Sequence, residues 1–467
     1  MDLDAYKSLH FVGIGGMGMR ALASILLDKG FFISGSDVVE SEVLKEFSHR
    51  GAHIYVGHKA KNIEGADGLV ISSAIAATNE EVVAARAAGI PVFHRADVLA
   101  AMFQWGKGIA VAGAHGKSTT SGMLGKIFCD TKKDPTVILG AEADYLHGNS
   151  RFGKGEYVIA EADESDGTFL KFNTSISIVT NIEDDHLEHY GTVENIQKAF
   201  IKFISHITDS EGMAILCTDS KGVREILPYV DKKLITYGIN EGSDYRGVNQ
   251  RYDTEHRMLF DVLHDNRFLG TLTLPIPGEH NVRDALGATA AAMHCGISFL
   301  DIAKSLSTFT GVKRRFQTKS KIDNVWIVDD YAHHPTEIQA TLRAAKETGR
   351  HRIICAFQPH RYSRTQLLQN EFAEAFDDAD VLFFTDIYSA GEAPRPDVDG
   401  MLIPRLVRER HPEKEIRYVK AYRELPYVLR LYCKPGDMVI TMGAGTITKV
   451  GEWLASLIEE KGLVSNE

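Results

Sequence analysis

Along this chain, short apolar or β-branched runs alternate with longer stretches whose apolar positions recur at helical spacing. That alternation predicts βαβ units and mostly parallel sheets, a doubly wound α/β chain. Leu9-His10-Phe11-Val12 reads as a strand, followed by a glycine turn and a helix with Met19, Leu22, Ile25 and Leu26 on one stripe. Further strands are expected at Gly68-Leu69-Val70-Ile71, Ile109-Ala110-Val111-Ala112 and Val325-Trp326-Ile327-Val328. A length of 467 residues suggests about three domains at roughly 150 residues each. A first boundary falls near Trp105, where a new glycine loop begins, and a second near Lys313, where a fresh strand follows a helical segment. The resulting division is 1–104, Rossmann-like; 105–312; and 313–467.

Composition narrows the class. The chain is 44% hydrophobic and 25% charged, in the range of folded α/β proteins. Net charge is -11, and the local cluster Lys313-Arg314-Arg315 is too small for a nucleic-acid footprint, so no nucleic-acid partner is expected. No apolar run approaches the ~20 residues of a membrane span and no secretory signal pattern opens the sequence, so a cytoplasmic protein without membrane insertion is expected. The five cysteines lie far apart without a C-x-x-C pair, which reads as reduced thiols rather than a zinc site or disulfide framework.

In open α/β sheets ligands collect at the carboxyl ends of strands, and the motifs here follow that rule. Gly113-Ala114-His115-Gly116-Lys117-Ser118-Thr119 lies between a strand and a helix with Met123, Leu124, Ile127 and Phe128 on one side. Such a loop turns backbone N–H groups around phosphate oxygens, its lysine neutralises β/γ charge, and its hydroxyl reaches Mg²⁺. Val111 occupies the first glycine position of the strict pattern. Two acidic clusters follow at strand ends, Glu161-Ala162-Asp163-Glu164-Ser165-Asp166 and Asp184-Asp185-His186, suited to a cation that prefers oxygen ligands. The central domain therefore reads as a P-loop-type ATPase α/β domain.

Gly13-Ile14-Gly15-Gly16-Met17-Gly18, with Asp37 ending the next strand, matches the dinucleotide fingerprint and places a diphosphate on a helix N-terminus. In the third segment, Asp329-Asp330-Tyr331-Ala332-His333-His334-Pro335-Thr336-Glu337 and Gln358-Pro359-His360-Arg361-Tyr362-Ser363-Arg364 each follow a strand. Arg361 or Arg364 can fork onto a carboxylate or phosphate. Asn281 in Gly278-Glu279-His280-Asn281 has the donor and acceptor to read an adenine edge, or to cap a helix. Gly443-Ala444-Gly445-Thr446 is a further glycine turn that either binds or packs.

Taken in order, these blocks resemble the Mur ligase family over nearly the whole chain. The resemblance implies three domains: an N-terminal sugar-nucleotide domain, a central ATP-binding domain and a C-terminal Rossmann-like domain that closes over both. It implies, most closely, transfer of the ATP γ-phosphate to the lactyl carboxylate of UDP-N-acetylmuramate and attack by L-alanine on the acyl phosphate, in peptidoglycan precursor synthesis. Gly15, Gly16, Met17, Gly18, Asp37, Ser72 and Tyr331 would then serve the substrates, and Gly113 to Thr119 with His280 and Asn281 would serve ATP. Ser118, Glu161 and His186 would hold Mg²⁺, and Lys117, Arg315, His333, His360 and Arg364 would complete the catalytic set. Departures from the family pattern are Ala114, Ser118, Arg20 and Thr446. A relative that recycles tripeptide onto the same sugar shares this framework. A dinucleotide-dependent oxidoreductase explains Gly13 to Gly18 but leaves the Lys117 loop unused, and a non-catalytic nucleotide-binding regulator would show an intact metal site without turnover. Either a monomer or a homodimer is expected.

Overall fold

The alternating pattern resolves into three sheets in the computed structural model, which describes residues 2–184, 187–349 and 352–463. The first sheet comprises β1 (Ser8–Val12), β2 (Phe32–Asp37), β3 (His53–Val56), β4 (Gly68–Ile71) and β5 (Val92–His94). All its pairings are parallel, in the order β3-β2-β1-β4-β5. The order reverses at β1, so the glycine turn after β1 opens at the switch point, where backbone donors converge. The expected helix follows as Met17–Lys29 and buries Met19, Leu22, Ile25 and Leu26. Each such side chain contributes about 1.5–3 kcal/mol by leaving water. Gly30, at φ 102, ends the helix in a left-handed turn that a side chain would strain.

The central sheet has ten strands, which include β11 (Met213–Cys217), β12 (Leu234–Gly238), β13 (Tyr245–Tyr252), β14 (Met258–His264) and β15 (Arg267–Leu274), in the order β15-β14-β13-β12-β11-β10-β6-β9-β7-β8. Those that place the site are β6 (Lys107–Ala112), β7 (Thr136–Ala143), β8 (Gly148–Arg151), β9 (Tyr157–Glu161) and β10 (Ile176–Val179). β6 runs parallel between β9 and β10, with Val111 opposite Glu161 and Ala112 opposite Val179. The loop leaving β6 thus meets the carboxyl ends of both neighbours.

The third sheet runs β16-β17-β21-β18-β19-β20. An antiparallel edge strand β16 (Gln317–Ile322) adjoins β17 (Val325–Asp330), and β21 (Asp437–Met442), β18 (Arg352–Phe357), β19 (Val381–Phe384) and β20 (Glu415–Tyr418) continue in parallel. Its inner strands are buried on both faces, by Phe357, Phe376 and Phe384 on one and Ile327, Ile354 and Leu454 on the other. Such strands read as unbroken apolar runs rather than alternating ones.

The chain divides into two compact units. One comprises Met1–Asn249, Phe260–Leu272 and Arg283–Thr308; the other comprises Gln250–Leu259, Thr273–Val282 and Phe309–Glu467. Among the described residues no helix is long and apolar enough to cross a membrane. None of the five cysteines is in a disulfide.

Candidate active site

In the first unit, the loop between β6 and the Lys117–Asp130 helix is shaped by glycines at positive φ, Gly113 at 135° and Gly116 at 82°. A Cβ at Gly113 would lie 2.2 Å from the Thr180 hydroxyl, and one at Gly116 would lie 2.4 Å from Asp284 Oδ1. The loop is a cradle only glycine can line. Its other wall comes from the end of β10. The His115 N–H donates to Asn181 Oδ1 at 2.9 Å, and the Asn181 amide and Thr180 hydroxyl donate to the His115 carbonyl at 3.0 and 2.5 Å.

Lys117 curls back over the loop, donating to the Gly113 carbonyl at 2.5 Å and to Glu164 Oε1 at 2.7 Å. Burial disfavours its charge, but Glu164, with Asp163 and Glu161 around it, outweighs that and raises its pKa above the ordinary lysine value. Ser118 donates to Glu161 Oε2 at 2.9 Å, and Glu161 Oε1 accepts the Gly140 N–H at 2.5 Å. Ser118 and Glu161 present hard oxygen donors side by side, the ligand type Mg²⁺ selects. His186 lies outside the described residues, as does Asp185; Asp184 is exposed.

The turn after β1 is held from below. Gly13 and Ile14 N–H groups donate to the Ser36 carbonyl at 2.8 and 3.0 Å, and the Gly15 N–H donates to Asp37 Oδ2 at 3.0 Å. Asp37 Oδ1 accepts the Val38 N–H at 2.8 Å, so both carboxylate oxygens are turned onto backbone. That orientation differs from the ribose-binding acid of a dinucleotide enzyme. Gly18 leaves room for Arg95, whose guanidinium reaches Asp163 at 3.1 Å. Ser72 follows β4, and its carbonyl accepts the Ile75 N–H.

The second unit assembles its own cluster at the ends of β17 and β18. Asp330 accepts N–H groups from Phe316 and Ala332, both at 2.7 Å. Burial pushes its pKa up to about 6, against the pull of Arg315. Arg315 pairs with Glu337 Oε1 at 3.1 Å, and Glu337 Oε2 accepts the His333 N–H at 3.1 Å and the His334 N–H at 3.4 Å, the latter part of a capping box on the Pro335–Glu347 helix. Tyr331 lies under both Arg314 and Arg315, at 4.8 and 5.4 Å from its ring centre. His333 meets Tyr331 and His360 edge-on, His360 stacks on Tyr388, and Arg364 lies 3.4 Å from His360 Nδ1. Arg315, Tyr331, His333, His360 and Arg364 are therefore brought together.

Burial lowers His333 to about 4 and His360 to about 3, and Arg364 adds to the effect on both. Both imidazoles are neutral in the folded chain at pH 7. Their ring-proton NMR shifts are expected to stay flat between pH 5.5 and 8, where an ordinary histidine titrates; a midpoint near 6.5 for either would contradict the geometry. With folded values below the unfolded one, the two histidines cost stability as pH falls below about 6.5.

Three family models cover most of the chain: "Mur ligase family, catalytic domain" over residues 8–105, "Mur ligase middle domain" over 111–292, and "Mur ligase, glutamate ligase domain" over 314–445. The chain belongs to the Mur ligase family. It is 43% identical to the UDP-N-acetylmuramate–L-alanine ligase of Pelotomaculum thermopropionicum over 98% of this chain and 99% of the relative. It is 42% identical to the enzyme of the same name from Geotalea uraniireducens, over 97% and 98%. Among solved structures, the UDP-N-acetylmuramate-alanine ligase MurC of Thermotoga maritima matches with a TM-score of 0.83 and 29% identity, covering 97% of this chain and 99% of its own. A murein peptide ligase from Psychrobacter arcticus shares the fold, with a TM-score of 0.70, 22% identity and coverage of 99% and 100%.

Against this Mur ligase frame, some readings change. Asn281 is not a helix cap. It is the third residue of the Glu279–His294 helix, 4% exposed, and its amide donates to the Pro277 carbonyl at 2.5 Å. The helix starts earlier because Gly278, at φ 104, breaks the chain direction just before Glu279. His280 packs beside Gly278, its Cε1 2.5 Å from where a Cβ would sit. The last glycine turn packs: the Gly443 carbonyl accepts from Arg314 at 2.5 Å, and Gln358 Oε1 accepts the Ile447 N–H at 3.0 Å beside Thr446. Sequence reading passed over Arg95, Thr180, Asn181 and Asp284. Thr180 closes the strand expected at Ile178-Val179-Thr180 and Asn181 directly follows it, the one signal that pointed to them.

Proposed function

We propose that the chain is an ATP-dependent ligase that joins L-alanine to the lactyl carboxylate of UDP-N-acetylmuramate through an acyl phosphate, in the cytoplasm, for peptidoglycan precursor synthesis. The observation that carries the chemistry is the Lys117 loop packed between Glu161 and Thr180 at the carboxyl ends of β9 and β10. The relatives' printed activity and their near-complete coverage support the substrates.

A carboxylate is a poor acyl donor, and phosphorylation gives it a leaving group. Backbone N–H groups of Gly113 to Thr119 and the Lys117 ammonium meet the negative charge that shifts between phosphoryl oxygens. His280 and Asn281, at the start of the Glu279–His294 helix, are the residues proposed to contact the nucleotide. Ser118 and Glu161 supply oxygen ligands for Mg²⁺, whose contribution is charge neutralisation on the transferred phosphoryl group. Gly15, Gly16, Met17 and Gly18 offer a helix N-terminus to the diphosphate of the sugar nucleotide, with Asp37 bracing the turn and Ser72 at the next strand end. Arg315 and Arg364 are suited to a carboxylate or phosphate, Tyr331 to limiting the incoming side chain, and the neutral His333 and His360 to accepting from its ammonium.

ADP and phosphate release with Mg·ATP and UDP-N-acetylmuramate tests this, comparing L-alanine, glycine, L-serine, a tripeptide and no acceptor. Release that depends on L-alanine, with a product heavier by that residue, is the expected result. Release with the tripeptide alone would move the assignment to the recycling reaction, and no release with any acceptor would remove the ligase reading.

A further inference from the structure

We propose that Arg20 and Glu142 form a positioning pair for this reaction, locking the helix behind the sugar-nucleotide turn to the strand that braces the metal-side carboxylate. The inference rests on the ligase reading and adds two residues that do not touch the reacting groups.

Arg20 sits on the first turn of the Met17–Lys29 helix. Its side chain points back toward the helix start, as helical side chains do, and its Nη2 donates to Met17 Sδ at 2.9 Å and to Glu142. The Arg20 and Glu142 side chains are 15% and 25% exposed, so the attraction is screened less than at an open surface. Arg20 Nε is buried without a hydrogen-bond partner among the described residues. A guanidinium held this way depends on its one carboxylate, because losing it would strand a half-buried charge.

Glu142 belongs to an irregular part of β7. The β7–β8 register shifts between Ile138 and Ala143, and such a bulge re-aims side chains. Within that stretch Gly140 donates its N–H to Glu161, the carboxylate that takes the Ser118 hydroxyl. A side chain at Gly140 would come within 2.8 Å of Glu161 Oε2, so the strand touches that carboxylate directly. Two residues on, Glu142 holds Arg20. One short segment therefore grips the phosphate-side carboxylate and the diphosphate-side helix together.

Two further contacts run along the same seam. Asn149 on β8 donates to the Met17 carbonyl and to the Leu139 carbonyl, each at 3.0 Å. At the far end of the helix, Lys29 lies over Trp105, 4.5 Å from its ring centre. Of these contacts, only Arg20–Glu142 pairs full opposite charges at the helix start, where a small rotation moves the glycine turn most.

The test uses the full chain with R20A, E142Q and the charge-swapped double variant R20E/E142R. Turnover is followed with calorimetric binding of UDP and amide hydrogen exchange over residues 17–29 and 136–151. Each single variant is expected to lower kcat by about 10- to 100-fold, the scale of a misplaced but intact site, and the swap to recover most of that loss. UDP affinity is expected to change by less than about threefold, with faster exchange in both segments of the single variants. Unchanged kcat and exchange in R20A would overturn the pair, as would a swap no better than the singles. A roughly tenfold loss of UDP affinity with kcat intact would also overturn it, making Arg20 a direct anion ligand. If the unaltered chain releases no ADP, the ligase reading fails, and the exchange measurement alone decides the pair.

Discussion

Replacing Lys117 with alanine is expected to reduce L-alanine-dependent ADP release by about 10²- to 10³-fold or more, the range seen when one preorganised charge donor is removed from a transition state. The ammonium is fixed by the Gly113 carbonyl and by Glu164, which is 3% exposed, so its position over the cradle is set by the fold. Its raised pKa keeps it charged throughout the neutral range. Taking it away also removes a cation from a buried carboxylate, so the variant's melting curve must be recorded beside its rate. Lys117→Arg separates the two effects: it keeps the charge, and in the proposed reading it stays slow because a planar fork does not fit the loop. Full turnover in Lys117→Ala would exclude the proposed role.

The largest stability effect is expected away from the reacting groups. Glu81 is fully buried in the first unit, yet it accepts from Ser36 Oγ at 2.6 Å and Asn62 at 2.7 Å and lies 3.2 Å from His58 Nδ1 and 3.6 Å from His10 Nε2. Burial alone would raise its pKa, but the adjacent His10 imidazole and the hydrogen bonds from Ser36 and Asn62 prevail and hold it at about 2. Glu81→Ala strands several buried polar partners, a change that costs about 3–5 kcal/mol. Since the Ser36 carbonyl carries the Gly13 and Ile14 N–H groups, the sugar-nucleotide turn should loosen as well. The folded value lies below the ordinary 4.5, so the carboxylate's contribution is complete above 4.5 and is lost as pH falls toward 2. Urea unfolding of the unaltered chain and of Glu81→Gln should therefore converge across that window. A gap independent of pH, or an unchanged melting temperature in Glu81→Ala, would refute the account.

What the sequence discloses here is local, and what it hides is distant. β1, β6, β9 and β17 announce themselves as apolar runs followed by glycine or acid, because a strand buried on both faces and the turn that ends it are written in neighbouring residues. Lys117 and Ser118 follow from the same logic. The partner of Lys117 does not: Glu164 was one of four acids in a run, and only the turn after β9 decides that it, rather than Asp166, reaches the ammonium. Glu80 and Glu81 look alike as the opening of a helix, yet one is exposed and the other is at the centre of a histidine, serine and asparagine network. Neighbouring positions on a helix face different surroundings, and periodicity carries no record of which charge has been given partners. Asn281 shows the converse error, where a motif residue expected at a helix start lies inside it because the preceding glycine moved the boundary.

The way the chain threads its two units bears on how the protein can be made and cut. Segments 250–259 and 273–282 belong with the final stretch from Phe309 onward, but they are synthesised before Arg283–Thr308, which completes the first unit. On the ribosome, neither body can finish as a simple block in order of synthesis. Those early segments must wait for the carboxyl-terminal stretch from Phe309, and a fragment beginning at residue 309 would lack two of its own pieces.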